Sequence, residues 1–468
     1  MEKRLDASNH GQYSHTPCLC QHRHRPFCNA CRLWCIVASV GTGIFSQYKG
    51  LRKELYILLI GRIMTNMGSM IWPMFTLILN QKLGLNATVI AACVMIYSMV
   101  SLPISLIGGK LADRLNKKNI IVVCDLVSIA SFIYCAVVPV TISSIIVFSV
   151  ASLFQTVEWP SYDALVADFS TSRDREKAYS LNYLGANLGL VLSPTLAGFL
   201  FNNHLNLAFL INGIAIALST VLIFFRIKDV HRETDDGARS HYEADLDSKV
   251  SAFSYIRGNR VVWLFILASA LANGVYSMYN YLMPLDMGIT YAERGSVLFG
   301  SMTSVNCIVV VTCTAVITKL FSKLRETGKM LVGESLILLG YLIFLLFIRK
   351  PWLCFVAITV FTFGEIFNTI SSSPFLTRRI PASHRGRILS VMNVVCGLSG
   401  SGIQLLTGWL YDTSGSRTAW MSIIGIGVLE IIIIAIMAGY DRKEYPGLNG
   451  IETAETTEPA GSAGPDNR

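Results

Sequence analysis

Charge is the first thing this sequence is short of. Asp, Glu, Lys and Arg make up 15% of the 468 residues, hydrophobic residues make up 52%, and mean hydropathy is +0.51. A soluble domain carries roughly a quarter charged residues, so a single water-soluble core under a polar skin is excluded. Fingerprints of chemistry are missing too. There is no G-x4-G-K-[ST] loop, no H-E-x-x-H helix and no sizeable polar stretch able to bind nucleotide. An ATP-driven pump or a membrane peptidase is therefore disfavoured, and neither enzymatic activity nor a cofactor is expected. Paired cysteines are lacking as well. Of twelve Cys, five precede residue 36 and seven are scattered singly through apolar runs, so disulfides are not expected. The start carries no charged-apolar-cleavage arrangement of a secretory signal.

What the chain has instead is long apolar runs. Twelve stretches of roughly 20 or more mainly apolar residues begin near Leu55, Asn86, Asn119, Ile142, Ala178, Leu205, Val261, Ser296, Met330, Trp352, Ile388 and Ala419. Each is long enough to cross about 30 Å of hydrocarbon. We number them spans 1 to 12 and expect an all-α membrane protein of twelve transmembrane helices. With the N-terminus inside, the short inner loops hold fifteen Lys or Arg, and the outer connections hold five: Lys82, Arg294, Arg349, Lys350 and Arg417. That bias places both termini in the cytoplasm. The net charge of +9 sits mainly in these loops rather than in one patch. It sets topology and meets anionic lipid, and no nucleic-acid partner is expected.

Five segments follow from composition. Residues 1–52 form an N-terminal extension in which Cys18, Cys20, Cys28 and Cys31 could hold zinc. The alternative is a disordered extension without metal, and we expect that one. Residues 53–226 and 260–441 each hold six spans. Residues 227–259 are a charged cytoplasmic linker, with a short interfacial helix near Val250 to Ile256. Residues 442–468 are polar and expected to be disordered.

The two halves repeat. Lys110-Leu-Ala-Asp-Arg-Leu115 recurs as Lys319-Leu-Phe-Ser-Lys-Leu324, shifted by 209. The run Leu196-Ala-Gly-Phe-Leu-Phe201 recurs as Leu406-Thr-Gly-Trp-Leu-Tyr411, shifted by 210, and Pro73 recurs as Pro284, shifted by 211. Matches at nearly one spacing indicate a duplicated six-helix unit.

The loop after span 2 reads Gly108-Gly-Lys-Leu-Ala-Asp-Arg-Leu-Asn-Lys-Lys118. Through Gly109, Leu111, Ala112, Asp113, Arg114, Lys117 and Lys118 it resembles the G-x-L-A-D-R-x-G-R-K signature of the major facilitator superfamily. Asn116 stands where the second Gly belongs and also tolerates a left-handed turn. In span 5, Gly189, Ser193, Pro194 and Gly198 resemble the G-x3-G-P-x2-G-G motif of the superfamily's antiporters. Gly364-Glu365-Ile366, Pro374 and Arg385-Gly386-Arg387 resemble bacterial multidrug-efflux members. The span 4 Arg of proton antiporters has no counterpart here. The resemblance covers about residues 53–440 and implies two pseudo-symmetric six-helix bundles with substrate bound between them. It also implies that Asp113 sits near the inner end of span 11 and helps hold the halves closed there.

Charges within the spans are few: Arg62, Asp125, Glu158, Glu334, Glu365 and Glu430. Each needs a partner, a wet cavity or a neutral form. Arg62, Asn66, Ser69 and Pro73 share one helical face of span 1, and adding 211 gives Asn273, Ser277, Asn280 and Pro284 in span 7. These two faces suit an aqueous pathway, and they equally suit hydrogen bonding between packed helices. Span 4 offers Gln155 and Glu158 on one face, and adding 210 gives Glu365 and Asn368 in span 10. Arg62 and Glu158 are placed to pair, and protonation of Glu158 or Glu365 would break such pairing and bias the transporter between its orientations. A static ion pair is the other reading. Asp125 and Glu334, 209 apart, each lie near a basic inner loop and are expected to anchor it. We group Gly109, Asp113, Arg114, Lys117, Lys118 and Asp125 as a conformational gate. Glu430 has no repeat-related acid.

The expected function is proton-coupled export of amphipathic organic compounds by a monomer in the plasma membrane, with a small-molecule substrate and protons as coupling ion. Trp72, Tyr97, Trp159, Tyr276 and Phe361 are apolar contact candidates. The alternatives are import of a small polar solute, for which Asn273, Asn280 and Asn368 would suit, and a non-transporting membrane sensor. Asp113→Asn is expected to leave expression intact and to slow transport. Normal turnover of that variant in proteoliposomes would contradict the latch.

Overall fold

The computed structural model describes residue 48 and residues 50–171, 174–227, 252–380 and 385–446, and these are helical without strands. The extension and its Cys cluster, most of the linker and tail, and the side chains of Asp113 and Arg175 lie outside the described residues. Each span starts within a few residues of its apolar run. Span 2 is Ala87–Arg114, span 3 Lys117–Val137, span 4 Ile142–Asp168, span 6 Leu205–Arg226, span 9 Glu326–Phe347, span 10 Pro351–Arg379, span 11 Arg385–Ser414 and span 12 Ser416–Glu444. Arg260–Leu320 is a helical stretch of 61 residues, about three membrane thicknesses if it were one straight helix. It turns back at Ala292–Arg294, where Ala292 has φ 46°, and so supplies both spans 7 and 8. The short helix in the linker is Ala252–Gly258.

Starts are set by polar caps. Asn86 accepts from Val89 N, Asn259 from Val262 N at 3.0 Å, and Thr141 and Ser144 form a reciprocal box. Asn116 corrects one expectation. Its φ of −66° is extended rather than left-handed, and its side chain accepts from the N–H groups of Lys118 and Asn119. This position of the loop is a helix cap, a task Gly would do less well.

Three spans are broken. Span 1 runs as Lys53–Gly68 and then Ile71–Leu77, span 7 as Arg260–Ser277 and then Leu282–Tyr291, and span 5 as Arg175–Leu190 and then Ser193–Leu200. Pro73, Pro284 and Pro194 each lie in the first turn after the break, where a missing N–H is harmless. Pro73 and Pro284 occupy the same third position, so the duplication extends to the break.

The packing repeats as well. Span 3 packs on spans 4 and 6 and span 1 on spans 5 and 6; six spans later, 9 packs on 10 and 12 and 7 on 11 and 12. The halves meet where span 5 touches span 8 and span 2 touches span 11, pairs that exchange under the same shift. Large apolar side chains such as Ile142, Phe199 and Phe225 point outward, and most of the charged groups within the spans are buried. That inversion of a soluble protein is what a hydrocarbon solvent requires.

Glycine sets the closest approaches. Gly333 and Gly364 bring spans 9 and 10 together so tightly that a Cβ on Gly364 would collide with the Gly333 carbonyl oxygen. Gly364→Ala is expected to cost about 1–3 kcal/mol and to lower the melting temperature of the solubilised protein. Gly402, with open space around it, should accept Ala with melting unchanged or slightly raised. Equal melting of the two variants would show that this contact does not set stability.

Candidate functional site

Each half encloses a cavity lined by the polar faces of its own spans. In the N-terminal half a cavity of about 220 Å³ is bordered by Arg62, Asn66, Ser69, Gln155 and Glu158, with Trp72, Tyr97 and Trp159 as aromatic wall. In the C-terminal half a cavity of about 460 Å³ is bordered by Asn273, Tyr276, Glu334, Glu365, Asn368 and Ser372. Eight of the ten pathway residues expected from the sequence thus line a cavity together with residues of their own half. Asn273 is joined there by neither Ser277 nor Asn280. Ser277 donates to the Gly274 carbonyl at 2.7 Å, and Asn280 stands at the span 7 break, where its carbonyl accepts from Thr76 of the other half at 2.8 Å. Their roles belong to the break.

Glu365 is held by neutral donors, Tyr276 Oη at 2.9 Å and Asn306 Nδ2 at 2.7 Å. Arg62 is almost buried at 5% exposure and stacks on Trp159, its guanidinium carbon 3.9 Å from the ring centroid. The expected Arg62–Glu158 ion pair is absent, with no nitrogen–oxygen approach within 4.0 Å. Glu158 instead turns its carboxyl group to Asp125. The two still share a cavity, so the cation offsets the acids at a distance.

Asp125 is also corrected. It does not anchor the basic loop; it is 4% exposed, faces Glu158 and accepts from Thr220 Oγ1 at 2.6 Å. The loop is tied by Lys117, which pairs with Asp168 of span 4, while Lys118 lies over the Phe224 ring. Arg114 is exposed. Gly109 has open space around it; the neighbouring Gly108 is the residue that lets span 2 approach the backbone of Val157 in span 4.

Sequence reasoning missed the relation that orders these acids. Asp125, Glu158 and Thr220 meet at the junction of spans 3, 4 and 6. Adding 209 or 210 gives Glu334, Asn368 and Glu430, and these meet at the junction of spans 9, 10 and 12. Asn368 Nδ2 donates to Glu334 at 2.5 Å, and Glu430 faces Glu334. Glu430 therefore has a repeat partner, a threonine, and a search for matching acids alone could not find it. Each triad contains two carboxyl groups and one neutral hydrogen-bonding side chain, differently distributed.

Contacts between the halves gather at the end that carries the loops after spans 1, 5, 7 and 11. Asp412 accepts from the N–H groups of Ala87 at 3.1 Å and Thr88 at 2.7 Å, which caps span 2 from span 11. Tyr281 Oη donates to the Ala87 carbonyl at 2.6 Å, and Asn202 Nδ2 to the Glu293 carbonyl at 2.7 Å. Span 5 works on both sides. Gly189 lies against the backbone of Ile63 and Met67 in span 1, and Gly198 against Ser296 and Val297 in span 8. Ser193 is fully buried, and the carbonyl of Pro194 sits where a side chain at Gly300 would be. The span 5 motif thus packs within its own half and across to the other.

Two symmetry-related six-span bundles, joined at one end and each carrying acids beside a cavity, define a secondary transporter. The sequence matches the profile of the Major Facilitator Superfamily over residues 57–404, and the chain belongs to that family. Among curated relatives, the Na(+), Li(+), K(+)/H(+) antiporter of Planococcus maritimus is 24% identical over 373 residues, covering 74% of this chain and 87% of that one. The quinolone resistance protein NorA of Staphylococcus aureus (strain COL) is 24% identical over 408 residues, covering 84% and 98%. Among solved structures, a POT family transporter in complex with 5-aminolevulinic acid superposes with TM-score 0.68 at 14% identity, covering 84% of this chain and 97% of that one. The nucleoside transporter NupG gives 0.64 at 16%, covering 82% and 99%. These structural likenesses bear on the fold.

Arg62→Gln is expected to lower thermal stability by leaving the Asp125–Glu158 pair without a cation in its cavity. Adding Glu158→Gln should recover part of the loss, with a coupling of about 0.5–3 kcal/mol in a double-mutant cycle. Strict additivity of the two melting shifts would separate Arg62 from the carboxyl pair.

Proposed function

We propose that this chain exports amphipathic organic compounds against proton entry, as a monomer in the plasma membrane with both termini in the cytoplasm. The observation that carries the reading is the placement of one acid of span 4 and one of span 10, Glu158 and Glu365, each bordering its own half's cavity beside aromatic walls. An acid at such a place exchanges protons with whichever side the cavity faces, and its charge alters what the cavity holds. Trp72, Tyr97 and Trp159 offer apolar faces to a flat or cationic compound. The relatives named for quinolone resistance and for cation/proton antiport support an antiporter. Alternating access would open the end now joined by Asp412, Tyr281 and Asn202 and close the opposite one, where Asp113 and the loop after span 2 serve as gate.

Import of a small polar solute is the second reading, favoured by Asn273 and Asn368 on the larger cavity. Inverted membrane vesicles distinguish the two. A lipophilic cationic dye should accumulate in them only under an imposed proton gradient, and Glu365→Gln and Glu158→Gln should each reduce accumulation at least tenfold, the loss of about 1.4 kcal/mol of coupling. Dye uptake that ignores the gradient, or both variants transporting as well as the parent, would remove proton coupling through these acids.

A further inference from the structure

We propose that Glu334, Asn368 and Glu430 form a site for one sodium-sized monovalent cation, which enters as one proton leaves. The three residues border a cavity of about 30 Å³ between spans 7, 9, 10 and 12, room for one small ion or a water or two. Glu430 is fully buried, and neither of its carboxyl oxygens receives a hydrogen bond from an N–H or hydroxyl donor, the carboxyl group of Glu334 being its polar neighbour. Asn368 commits its amide nitrogen to Glu334, and its Oδ1 likewise has no partner. Three buried oxygens that no N–H or hydroxyl donor reaches, around one small cavity, are costly in hydrocarbon unless a proton or a cation is shared among them and Glu334. Carboxylate and amide oxygens are the hard ligands that alkali cations take.

The repeat says where that positive charge must come from. In the N-terminal half the equivalent acids are Asp125 and Glu158, and Glu158 borders a cavity together with Arg62. The residue at that position of span 7 is Asn273, 211 further on. No Lys, Arg or His borders the small cavity; its remaining walls include Phe265, Met330, Ile434 and Met437. The protein therefore supplies a cation to one carboxyl pair and none to the other, and the second must draw its charge from solution. Glu334, Asn368 and Ser372 also border the larger cavity, which gives an ion its way in.

Charge balance fixes the exchange. Two carboxyl groups are neutralised by two protons, or by one proton and one monovalent cation. Binding is thus COOH plus cation going to COO⁻·cation plus a released proton, with the site neutral before and after. The other titratable side chains facing it are few. On span 10, Glu365 is bonded to Asn306 and to Tyr276 of span 7; on span 9, Tyr341 donates to the Val275 carbonyl. Glu430 is the one titratable side chain that span 12 contributes to the cavity.

The site stands whichever organic compound the chain carries, and the readouts are separate from dye transport. Full-length protein in weakly buffered detergent is mixed with NaCl or choline chloride, and released protons and melting temperature are measured. Sodium, and not choline, should release about one proton per protein and raise the melting temperature. Glu334→Gln and Glu430→Gln should each abolish both effects, while Glu293→Gln, in the loop after span 7, should keep them. If both glutamine variants fail to fold in choline, Asn273→Arg decides: it gives the C-terminal half a cation of its own and should abolish the sodium response with both acids in place, and a retained response overturns the site. The proposal is also overturned if the parent ignores sodium, if Glu430→Gln responds as the parent does, or if calcium gives the same response at a hundredfold lower concentration, which would mark a divalent site.

Discussion

A carboxyl group in hydrocarbon must find a proton, a cation or donors, because no water is there to carry its charge. This constraint organises the protein. The three-helix junctions of spans 3, 4, 6 and 9, 10, 12 are where four of the buried acids meet, Asp125 with Glu158 and Glu334 with Glu430. Close packing at those junctions depends on small residues: Gly333 and Gly364 bring spans 9 and 10 into contact, and Asn368 then reaches Glu334. Stability and site are consequently built from the same contacts, and a change that loosens one disturbs the other.

The halves descend from one unit and have diverged in how they hold charge. Gln155 and Glu158 in span 4 answer to Glu365 and Asn368 in span 10. The exchange moves the acid from the buried junction to the larger cavity, where Tyr276 and Asn306 receive it. Glu430 then restores the second acid at the junction, at the position Thr220 holds in the other half. Arg62 against Asn273 completes the asymmetry.

Much of this was legible in the chain. Apolar runs located each span to within a few residues, because in lipid the backbone must pair within its own helix. Helical spacing put Arg62, Asn66 and Ser69 on one face and Gln155 and Glu158 on another, and both faces border the cavity within the N-terminal half. What escaped was contact across helices. The Arg62–Glu158 pair was inferred from depth alone, and rotation about the helix axes turned Glu158 to Asp125 and Arg62 to Trp159 instead. Glu430 appeared solitary because its counterpart, Thr220, carries no charge. The capping of span 2 by Asp412 joins residues 324 or more apart, which no local pattern announces. The breaks in spans 1 and 7 did leave a trace in Pro73 and Pro284, each in the turn that restarts a helix.

That cap also bears on how readily the joined end can part. Asp412 is exposed, so water already reaches the bonds it makes, and a cap of this kind is worth about 0.5–2 kcal/mol. When the halves separate, solvent can take over the two amide groups almost without loss. The fastening behaves as a spring catch rather than a rivet: firm enough to bias the resting shape, and weak enough for thermal motion to release it many times over.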